Sequence, residues 1–306
     1  MAKSPQSSSK SRAKPSHPKT ASQPQSQSKQ SFSELLRAPS GPIDLAAIDA
    51  RAHPGVASKH DAVRQLPDLG ARLAGLQERL SAQARGGTDT RRLLLVVQGM
   101  DTAGKGGTVK HVAGQMDPGG LHITAFKAPT PEERTHDFLW RIRKGLPTAG
   151  YVGIFDRSHY EDVLIARVRD LVPRAAWSRR YGVINRFEQQ LVDDGCTVVK
   201  CFLHISKDEQ KERLLERLDD PTKLWKYNPG DVDERELWPA YQEAYGTALE
   251  KCTTDVAPWH VIPADRKWYR NYAITRLLIE ALERIGPVWP PAAYDVAVER
   301  TRVLES

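Results

Sequence analysis

The segment from Gly99 to Thr108 carries the residues whose types and spacing are best suited to chemistry. Gly99 to Lys105 fits the pattern G-x-x-x-x-G-K, between an apolar run and a helix-forming stretch. Glycines let the backbone curl so that its N–H groups point at phosphate oxygens, and Lys105 adds a full positive charge. The pattern predicts a phosphate-binding loop; the alternative is a glycine-rich connector. The residues assigned to this loop, besides the lysine, are Gly99, Ala103, Gly104, Gly106, Gly107 and Thr108.

The residue after the loop lysine departs from the common motif. Gly106 stands where Ser or Thr ordinarily holds magnesium through its hydroxyl. Thr108 lies two residues further on, too far along to count as a secure substitute. Asp101, inside the loop, is unusual for this motif. We interpret it as a candidate replacement ligand for the metal.

A second candidate group follows the apolar run 151–155. Asp156 ends this predicted strand, and such an acid opposite a phosphate loop is typical of a ligand of Mg²⁺, with Mn²⁺ as a second candidate. Arg157 would then bridge the donor and acceptor phosphates. The alternatives are a helix cap for Asp156 and a surface ion pair for Arg157. Glu161 is a candidate nucleotide contact, although the helix dipole explains Glu161 and Asp162 equally well.

Cations cluster in the segment that follows the fourth predicted strand. Arg213 and Arg217 are four residues apart and share one face of a predicted helix. This predicts a helical lid at about residues 206–230 that closes over phosphates as water leaves. The alternative is a solvated helix face, because acidic side chains are interleaved with the cations. The cations are Lys207, Lys211, Arg213, Arg217, Lys223 and Lys226, and the acids are Asp208, Glu209, Glu212 and Glu216.

Short apolar runs alternate with helical patterns through most of the chain. The predicted strands are 93–97, 122–126, 151–155, 198–205 and 259–263. The predicted helices are 59–84, 105–116, one that opens at Thr130, 158–170, 177–194, 206–218 and 268–284. Strand–helix alternation predicts a parallel sheet covered on both faces. The expected fold is therefore a three-layer α/β P-loop kinase fold with a helical lid.

The charge of the chain is unevenly distributed. The net charge is +7, yet residues 1–32 contain six basic residues and no acid, which leaves 39 basic against 38 acidic residues in the remainder. This Ser-, Gln- and Pro-rich tail offers almost nothing to bury, so we expect it to be disordered. The nearly neutral body argues against a specific nucleic-acid partner.

Composition also frames the domain organisation. We expect the tail to be followed by an N-terminal arm and helix (33–88), a phosphotransferase domain (89–290) and a C-terminal extension (291–306). No window approaches the roughly 18 consecutive apolar residues of a membrane helix. Three cysteines without a C-x-x-C pair, and no export signal, predict reduced thiols in a cytoplasmic protein.

Six segments in order along residues 60–290 resemble the second polyphosphate kinase family, P-loop enzymes that move phosphate between inorganic polyphosphate and nucleotides. Gly106 after the loop lysine is also that family's habit. The segments begin with Gly99-Met-Asp-Thr-Ala-Gly-Lys, Lys127-Ala-Pro-Thr-Pro, Phe155-Asp-Arg-Ser-His-Tyr, Phe202-Leu-His-Ile-Ser, Asp220-Pro-Thr-Lys-Leu-Trp and Ala257-Pro-Trp-His-Val.

The resemblance implies roles for individual residues. Lys105 would hold nucleotide phosphate, Asp101 and Asp156 would serve magnesium, and Arg157 would contact the bridging phosphates. The implied polyphosphate ligands are Lys127, Arg213, Arg217, Lys223 and Lys226. It also implies AMP, ADP and ATP as nucleotides, as in the subgroup acting on both AMP and ADP, and a homo-oligomer, dimer or tetramer. Two hypotheses compete with it: an ATP-dependent nucleoside monophosphate kinase on the same fold, and a regulator that binds without turnover.

Overall fold

The apolar runs of the sequence form one parallel sheet. The computed structural model describes Met1, residues 30–87 and residues 89–306. The strands within these ranges are β1 (Arg92–Gly99), β2 (Leu121–Ala125), β3 (Val152–Asp156), β4 (Cys196–His204) and β5 (Trp259–Pro263). Their order is β2-β3-β1-β4-β5, and every neighbouring pair is parallel. Central β1 is buried from Leu93 to Val97, as expected of a strand covered on both faces.

Helices pack against this sheet in two groups. The helices in the described ranges are α1 (Phe32–Leu36), α2 (Lys59–Ala84), α3 (Lys105–His111), α4 (Trp140–Lys144), α5 (Ile165–Val168), α6 (Arg174–Asp193), α7 (Lys207–Asp219), α8 (Gly230–Glu236), α9 (Trp238–Cys252), α10 (Lys267–Ile285) and α11 (Val296–Glu305). α2 packs on α10, which lies on β4 and β5, whereas α6 contacts β4 and packs on α9. The predicted three-layer α/β fold is confirmed. None of the helices in the described ranges is long and apolar enough to cross a bilayer.

Three predicted helices are shorter or more broken than expected. The helix predicted over 105–116 ends at His111 and continues as a 3₁₀ turn. The predicted helix 158–170 is a 3₁₀ turn followed by the short α5. At Thr130 the expected cap is present, since Thr130 and Glu133 bond reciprocally, but only one 3₁₀ turn follows. Residues 131–137 are mostly exposed, so no apolar packing sustains a longer helix there.

The predicted disordered tail lies outside the described residues except for Met1 and residues 30–32. Its predicted end was wrong by two residues. Ser31 caps α1 through a capping box, and Phe32 is buried. The carboxylate of Glu280 accepts hydrogen bonds from the N–H groups of Phe32 (2.8 Å) and Ser33 (3.0 Å). Ser31 and Phe32 therefore belong to the folded arm.

A buried ion pair connects β4 to α6 and to the turn after β3. Lys200 is fully buried, and its ammonium donates to Glu188 (2.6 Å), the Tyr160 hydroxyl (2.9 Å) and the Cys252 carbonyl (2.7 Å). The same Glu188 carboxylate accepts from Tyr160 (2.8 Å) and contacts the His159 ring (3.2 Å). His159 and Tyr160 are thereby fixed from behind. Because they follow Asp156 closely in the chain, the network holds the carboxyl end of β3 in place.

His260 on β5 joins the N-terminal arm to the sheet. Its Nδ1 donates to the Lys200 carbonyl (3.1 Å), and its Nε2 accepts from the Ser33 hydroxyl (3.0 Å). A carbonyl can only accept, so Nδ1 carries a proton. Burial lowers the pKa of His260 from 6.5 to about 4.

This lowered pKa predicts a pH dependence of stability. Between pH 6.5 and about 4 the unfolded histidine binds a proton that the folded one excludes. Its contribution to the free energy of unfolding should therefore fall by about 1.4 kcal/mol for each pH unit of acidification. Urea unfolding from pH 7 to 4.5 should show a shallower decline for His260→Gln than for the wild type. His122→Gln, at an exposed position on β2, should keep the wild-type decline; equal slopes in all three proteins would contradict the assignment.

Candidate active site

The two site segments predicted from the sequence, the phosphate loop and the turn at Asp156 and Arg157, meet at the carboxyl edge of the sheet. β1 lies between β3 and β4, with Val97 paired to Asp156 and Gly99 paired to Leu203. The loop after β1 and the turn after β3 are therefore neighbours. In open parallel sheets, ligands bind beyond this edge.

The loop after β1 is tightly curled. Thr102 has φ of 64° and Gly104 has φ of 111°. The left-handed region is rare for a β-branched residue, and such strain tends to accumulate at functional sites. In the described part of the chain, the N–H groups of residues 104–107 donate to no backbone carbonyl. They remain available to phosphate oxygens at the start of α3.

Two residues assigned to phosphate binding instead form hydrogen bonds within the loop. The N–H of Ala103 donates to the Met100 carbonyl (3.1 Å), and Ala103 is fully buried. The hydroxyl of Thr108 donates to the Gly104 carbonyl (3.3 Å), and Thr108 is 1% exposed. Both stabilise the curl of the loop from inside. Because Thr108 points away from the open side, it does not replace the Ser or Thr hydroxyl of the common motif.

Asp101, Lys105 and Arg157 form one charged cluster. Arg157 Nη2 donates to Asp101 Oδ1 over 3.0 Å, and the Lys105 ammonium lies 3.8 Å from the same oxygen. Lys105 also donates to the carbonyls of Gly99 (2.7 Å) and Met100 (3.2 Å). Arg157 has φ of 64°, a conformation that directs the chain sharply after β3. Arg157 lies 52 positions after Lys105 and 56 after Asp101 in the sequence, and the sheet brings the three together.

This cluster fixes the ionisation of its members. Burial acts to raise the pKa of Asp101, but Lys105 and Arg157 outweigh it and the pKa lies below its ordinary value. Burial acts to lower the pKa of Arg157, but Glu161 and Asp101 outweigh it and the pKa is raised. Asp101 is therefore an anion and Arg157 a cation at neutral pH.

A cavity of about 380 Å³ lies on one side of the cluster, and we call it the acidic cavity. Its apolar walls include Phe126, Ile165 and Tyr241. Five carboxylates line it, against three cations: the acids are Asp101, Glu161, Asp162, Asp231 and Glu234, and the cations are Lys127, Arg141 and Arg157. Burial raises the pKa of Glu161, which Arg157 and Lys105 offset only in part. Apolar walls with a few polar acceptors suit a base and a ribose.

A second cavity of about 780 Å³ lies on the other side, and we call it the basic cavity. Ten cations line it, against two carboxylates, Asp101 and Asp156. The cations are Lys105, Lys110, Lys127, Arg157, Arg213, Arg217, Lys223, Lys226, Lys267 and Arg270. Asp101, Phe126, Lys127 and Arg157 line both cavities. Such an excess of positive charge suits an extended polyanion that approaches the loop from this side.

Arg213 differs from its predicted role as a lid cation. It is 5% exposed, and all five of its N–H groups are engaged. Nε donates to Glu209, Nη1 to the carbonyls of Thr102 and Ala103, and Nη2 to those of Ala264 and Asp265. No N–H is left for a polyphosphate oxygen, so Arg213 holds the loop instead of binding the donor.

Of the other predicted lid cations, Arg217, Lys223 and Lys226 line the basic cavity, whereas Lys207 and Lys211 do not. Arg217, on the same face of α7 as Arg213, donates to the Lys226 carbonyl (2.9 Å) and to Asp231 (3.0 Å). Lys223 pairs with Asp220 over 2.8 Å, and the Lys226 ammonium lies 5.0 Å from the centre of the Trp225 ring. The closing movement of a lid stays a prediction.

Several lining residues were missed by the sequence reading. Asn228 and Tyr241 line the acidic cavity, while Lys110, Lys267 and Arg270 line the basic one. Lys110 sits one helical turn beyond Gly106 on α3, so its position could have been inferred from helix periodicity. The others lie more than 100 positions after the loop, and single-sequence patterns give no sign that they approach it.

The residues fit a magnesium site that is completed by phosphates. Asp101 and Asp156 both line the basic cavity next to the loop. No cluster of three or more potential protein ligands exists among the described residues. Mg²⁺ is commonly held by one or two carboxylates together with substrate phosphates, so two carboxylates beside a phosphate loop match that requirement.

The fold and the site together define a P-loop kinase, with a phosphate loop and an acidic strand end at the carboxyl edge of a parallel sheet. The family described as Polyphosphate kinase 2 matches residues 56–287. The chain belongs to the polyphosphate kinase 2 family.

Individual relatives agree with this assignment. The chain is 46% identical over 232 residues, 76% of its length and 85% of the relative's, to the AMP/ADP-polyphosphate phosphotransferase of Meiothermus ruber. It is 36% identical over 260 residues, 81% of its length and 88% of the relative's, to the ADP-polyphosphate phosphotransferase of Rhodopseudomonas palustris. The crystal structure of Polyphosphate Kinase 2 from Arthrobacter aurescens TC1 superimposes with a TM-score of 0.88 at 53% identity, covering 91% of this chain and 98% of that one.

The cluster predicts the effect of removing its charges. Lys105→Ala and Asp156→Asn should each lower the rate of phosphoryl transfer by about 100-fold or more, since they remove stabilisation made mainly in the transition state. Single-turnover rates of folded, purified variants provide the measurement. Lys59→Ala, at an exposed position outside both cavities, should keep the wild-type rate. Near-normal transfer by either site variant would place the reaction centre elsewhere.

The five hydrogen bonds of Arg213 predict a loss of stability. Arg213→Met should lower the free energy of unfolding by at least about 3 kcal/mol, because it leaves four loop and strand-end carbonyls without a donor. It should also raise the Michaelis constants of both substrates, since the loop serves both. Lys211→Met, at an exposed position on the same helix, is the matched control. If the variant had normal stability and only the Michaelis constant of polyphosphate were raised, Arg213 would be a donor ligand after all.

Proposed function

We propose that this protein transfers a phosphoryl group from inorganic polyphosphate to AMP and ADP, reversibly. The observation that carries the proposal is the meeting of two unlike cavities at Asp101 and Arg157. The basic cavity offers a polyanion its counter-charges, and the acidic cavity offers a nucleoside polar acceptors between apolar walls. The names of the relatives from Meiothermus ruber and Rhodopseudomonas palustris support the same substrates.

The transfer requires no protein nucleophile. A nucleotide phosphate is already an anion at neutral pH, so its oxygen attacks the terminal phosphorus of polyphosphate directly. The bond from that phosphorus to the bridging oxygen breaks, and a polyphosphate shorter by one unit leaves. Lys105 and Arg157 neutralise the charge that spreads over the transferring group, and the loop N–H groups orient it.

Asp101 and Asp156 would hold Mg²⁺, or Mn²⁺ in its place. When bound, the metal supplies positive charge to the phosphate oxygens beside the loop. Lys105 and Arg157 together keep Asp101 ionised, and Arg157 holds one of its oxygens in a fixed direction. This arrangement leaves the second Asp101 oxygen and Asp156 as the protein's contribution to the metal.

An ATP-dependent nucleoside monophosphate kinase is the competing function. It requires a second nucleoside-binding cavity for the donor, whereas the basic cavity is lined mainly by cations. Assays with AMP, ADP, GMP and GDP, each with polyphosphate and Mg²⁺, would separate the two functions when the product nucleotides are resolved. Turnover with ATP alone as the donor would overturn the polyphosphate proposal.

We extend the proposal to the location and assembly of the protein. All three cysteines are buried and unpaired, which supports the reducing cytoplasm. A homo-oligomer, dimer or tetramer, is supported by the exposed apolar side chains near the C-terminus. These are Val288, Trp289, Tyr294, Val296, Val298, Val303 and Leu304. Light scattering coupled to size-exclusion chromatography tests the oligomeric state.

The basic cavity predicts that donor binding depends strongly on salt. Polyphosphate carries about one negative charge per phosphate, so binding should release several counterions and weaken steeply as salt rises, as for nucleic acids. The double variant Lys223→Gln/Lys226→Gln should raise the Michaelis constant of polyphosphate and flatten its salt dependence. Lys211→Gln, which lies outside the cavity, should do neither. An unchanged constant and slope in the double variant would remove the predicted lid from the donor site.

A further inference from the structure

Arg270 occupies an unusual position beneath the phosphate loop. It lies in the first turn of α10 and is 3% exposed. A Cβ atom on Gly104 would stand 1.7 Å from its Nη1, and one on Gly107 would stand 2.7 Å from its Nη2. Both separations are impossible for real atoms. Glycine at these two positions is therefore what allows the guanidinium to reach the loop.

The charge of Arg270 has no carboxylate partner among the described residues. Its Nε and Nη2 donate to the neutral amide oxygen of Asn271, at 3.1 and 2.8 Å. Among the ion pairs of the described ranges, none includes Arg270. Burial and the neighbouring Arg213 lower the pKa of Arg270 to about 10. A buried guanidinium next to another cation is costly unless an anion compensates it.

Arg270 lines the basic cavity and has N–H donors that no described residue accepts. Its Nη1 makes no hydrogen bond to any residue that the structure describes, and its side chain lines the cavity together with Lys267 and Asn271. Arg213, which approaches the same loop, has spent all five N–H groups on protein acceptors. The two buried arginines therefore differ: Arg213 is fully bonded to the protein and holds the loop, whereas Arg270 has N–H groups available to a ligand.

We infer that Arg270 is a ligand of the polyphosphate chain, and that Gly107 is required to admit its guanidinium beside the loop. This rests on the proposed function. An arginine offers two parallel N–H groups to a phosphate, which a lysine cannot reproduce. The ligand bound by Arg270 is an oligophosphate in the basic cavity, and Asp101 lies between it and the acidic cavity. It follows that Arg270 affects the donor and leaves nucleotide binding unchanged.

The test compares Arg270→Gln and Arg270→Lys with Arg284→Gln, an equal charge change at an exposed position near the far end of the same helix. Arg270→Gln should raise the Michaelis constant of polyphosphate by about 10- to 100-fold and reduce the slope of its salt dependence by about 0.7. The lysine variant should recover only part of this loss. The Michaelis constant of AMP, at saturating polyphosphate, should stay within about twofold of the wild type, since Arg270 lines the basic cavity and not the acidic one. Arg284→Gln should match the wild type in every measurement.

A binding measurement without turnover separates this inference from the proposed function. Inorganic tripolyphosphate, added without nucleotide, should raise the melting temperature of the wild type more than that of Arg270→Gln. Without tripolyphosphate, Arg270→Gln should melt no lower than the wild type, because it removes an uncompensated buried charge. This melting-temperature comparison tests the role of Arg270 even if the wild type transfers no phosphate from polyphosphate.

Gly107→Ala provides an independent variant. Alanine favours a helix, so its harm here would come from displacing Arg270. Gly107→Ala should raise the polyphosphate Michaelis constant in the wild-type background and change it little in Arg270→Gln, a coupling that a double-mutant cycle measures. Equal effects in both backgrounds would overturn the inference. So would a lower melting temperature of Arg270→Gln with both Michaelis constants raised alike, which is the signature of a structural residue.

Discussion

The five hydrogen bonds of Arg213 are the constraint on which the active site depends. The four bonds to carbonyls join α7 to the loop after β1 and to the residues that follow β5, and the bond to Glu209 within α7 holds the guanidinium in place. The loop carries a left-handed threonine, Thr102, and its inner carbonyls would be unsatisfied without this guanidinium. Gln210 adds a bond from the same helix to the Asp101 carbonyl (3.0 Å). A strained loop conformation persists only where surrounding contacts hold it, and the hydrogen bonds from α7 provide those contacts.

The same helix connects the loop to the remaining cations. Arg213 and Arg217 lie one turn apart, so the residue that fixes the loop and the residue that reaches Asp231 share one rigid element. Ser206, the cap of α7, is bonded through its N–H and hydroxyl to Asp265 at 2.8 and 2.9 Å. A movement of the predicted lid would therefore have to begin beyond Arg217, towards Lys223 and Lys226. The part of α7 up to Arg217 is tied to the loop, and the more exposed segment after α7 carries the Lys223 and Lys226 that we propose bind the donor.

Asp101 and Arg157 lie between two cavities of opposite charge. Carboxylates gather on the side with Glu161 and Asp231, and cations gather on the side with Lys223 and Arg270. A polyanion is attracted to one side and repelled by the other, so the two substrates reach the shared pair from opposite directions. An in-line transfer requires such an approach. The nearly neutral body of the protein thus contains a strongly positive surface at the basic cavity, where we propose that the donor binds.

The amino-acid sequence alone predicted the five strands, the phosphate loop and its acidic neighbour, but it did not predict the helices α1, α8, α9 and α11. The predicted features depend on local patterns: apolar runs, glycine spacing, and a charge at a strand end. The sequence could not determine what each cation contacts. Arg213 and Arg217 share a helix face and both line the basic cavity, yet only Arg213 of the two is buried, with all of its N–H groups on protein acceptors. Nor did it indicate Arg270, which contacts Gly104 and Gly107 although it lies 166 and 163 positions after them in the sequence. Burial and partner choice arise from packing between distant segments, and only the tertiary structure decides them.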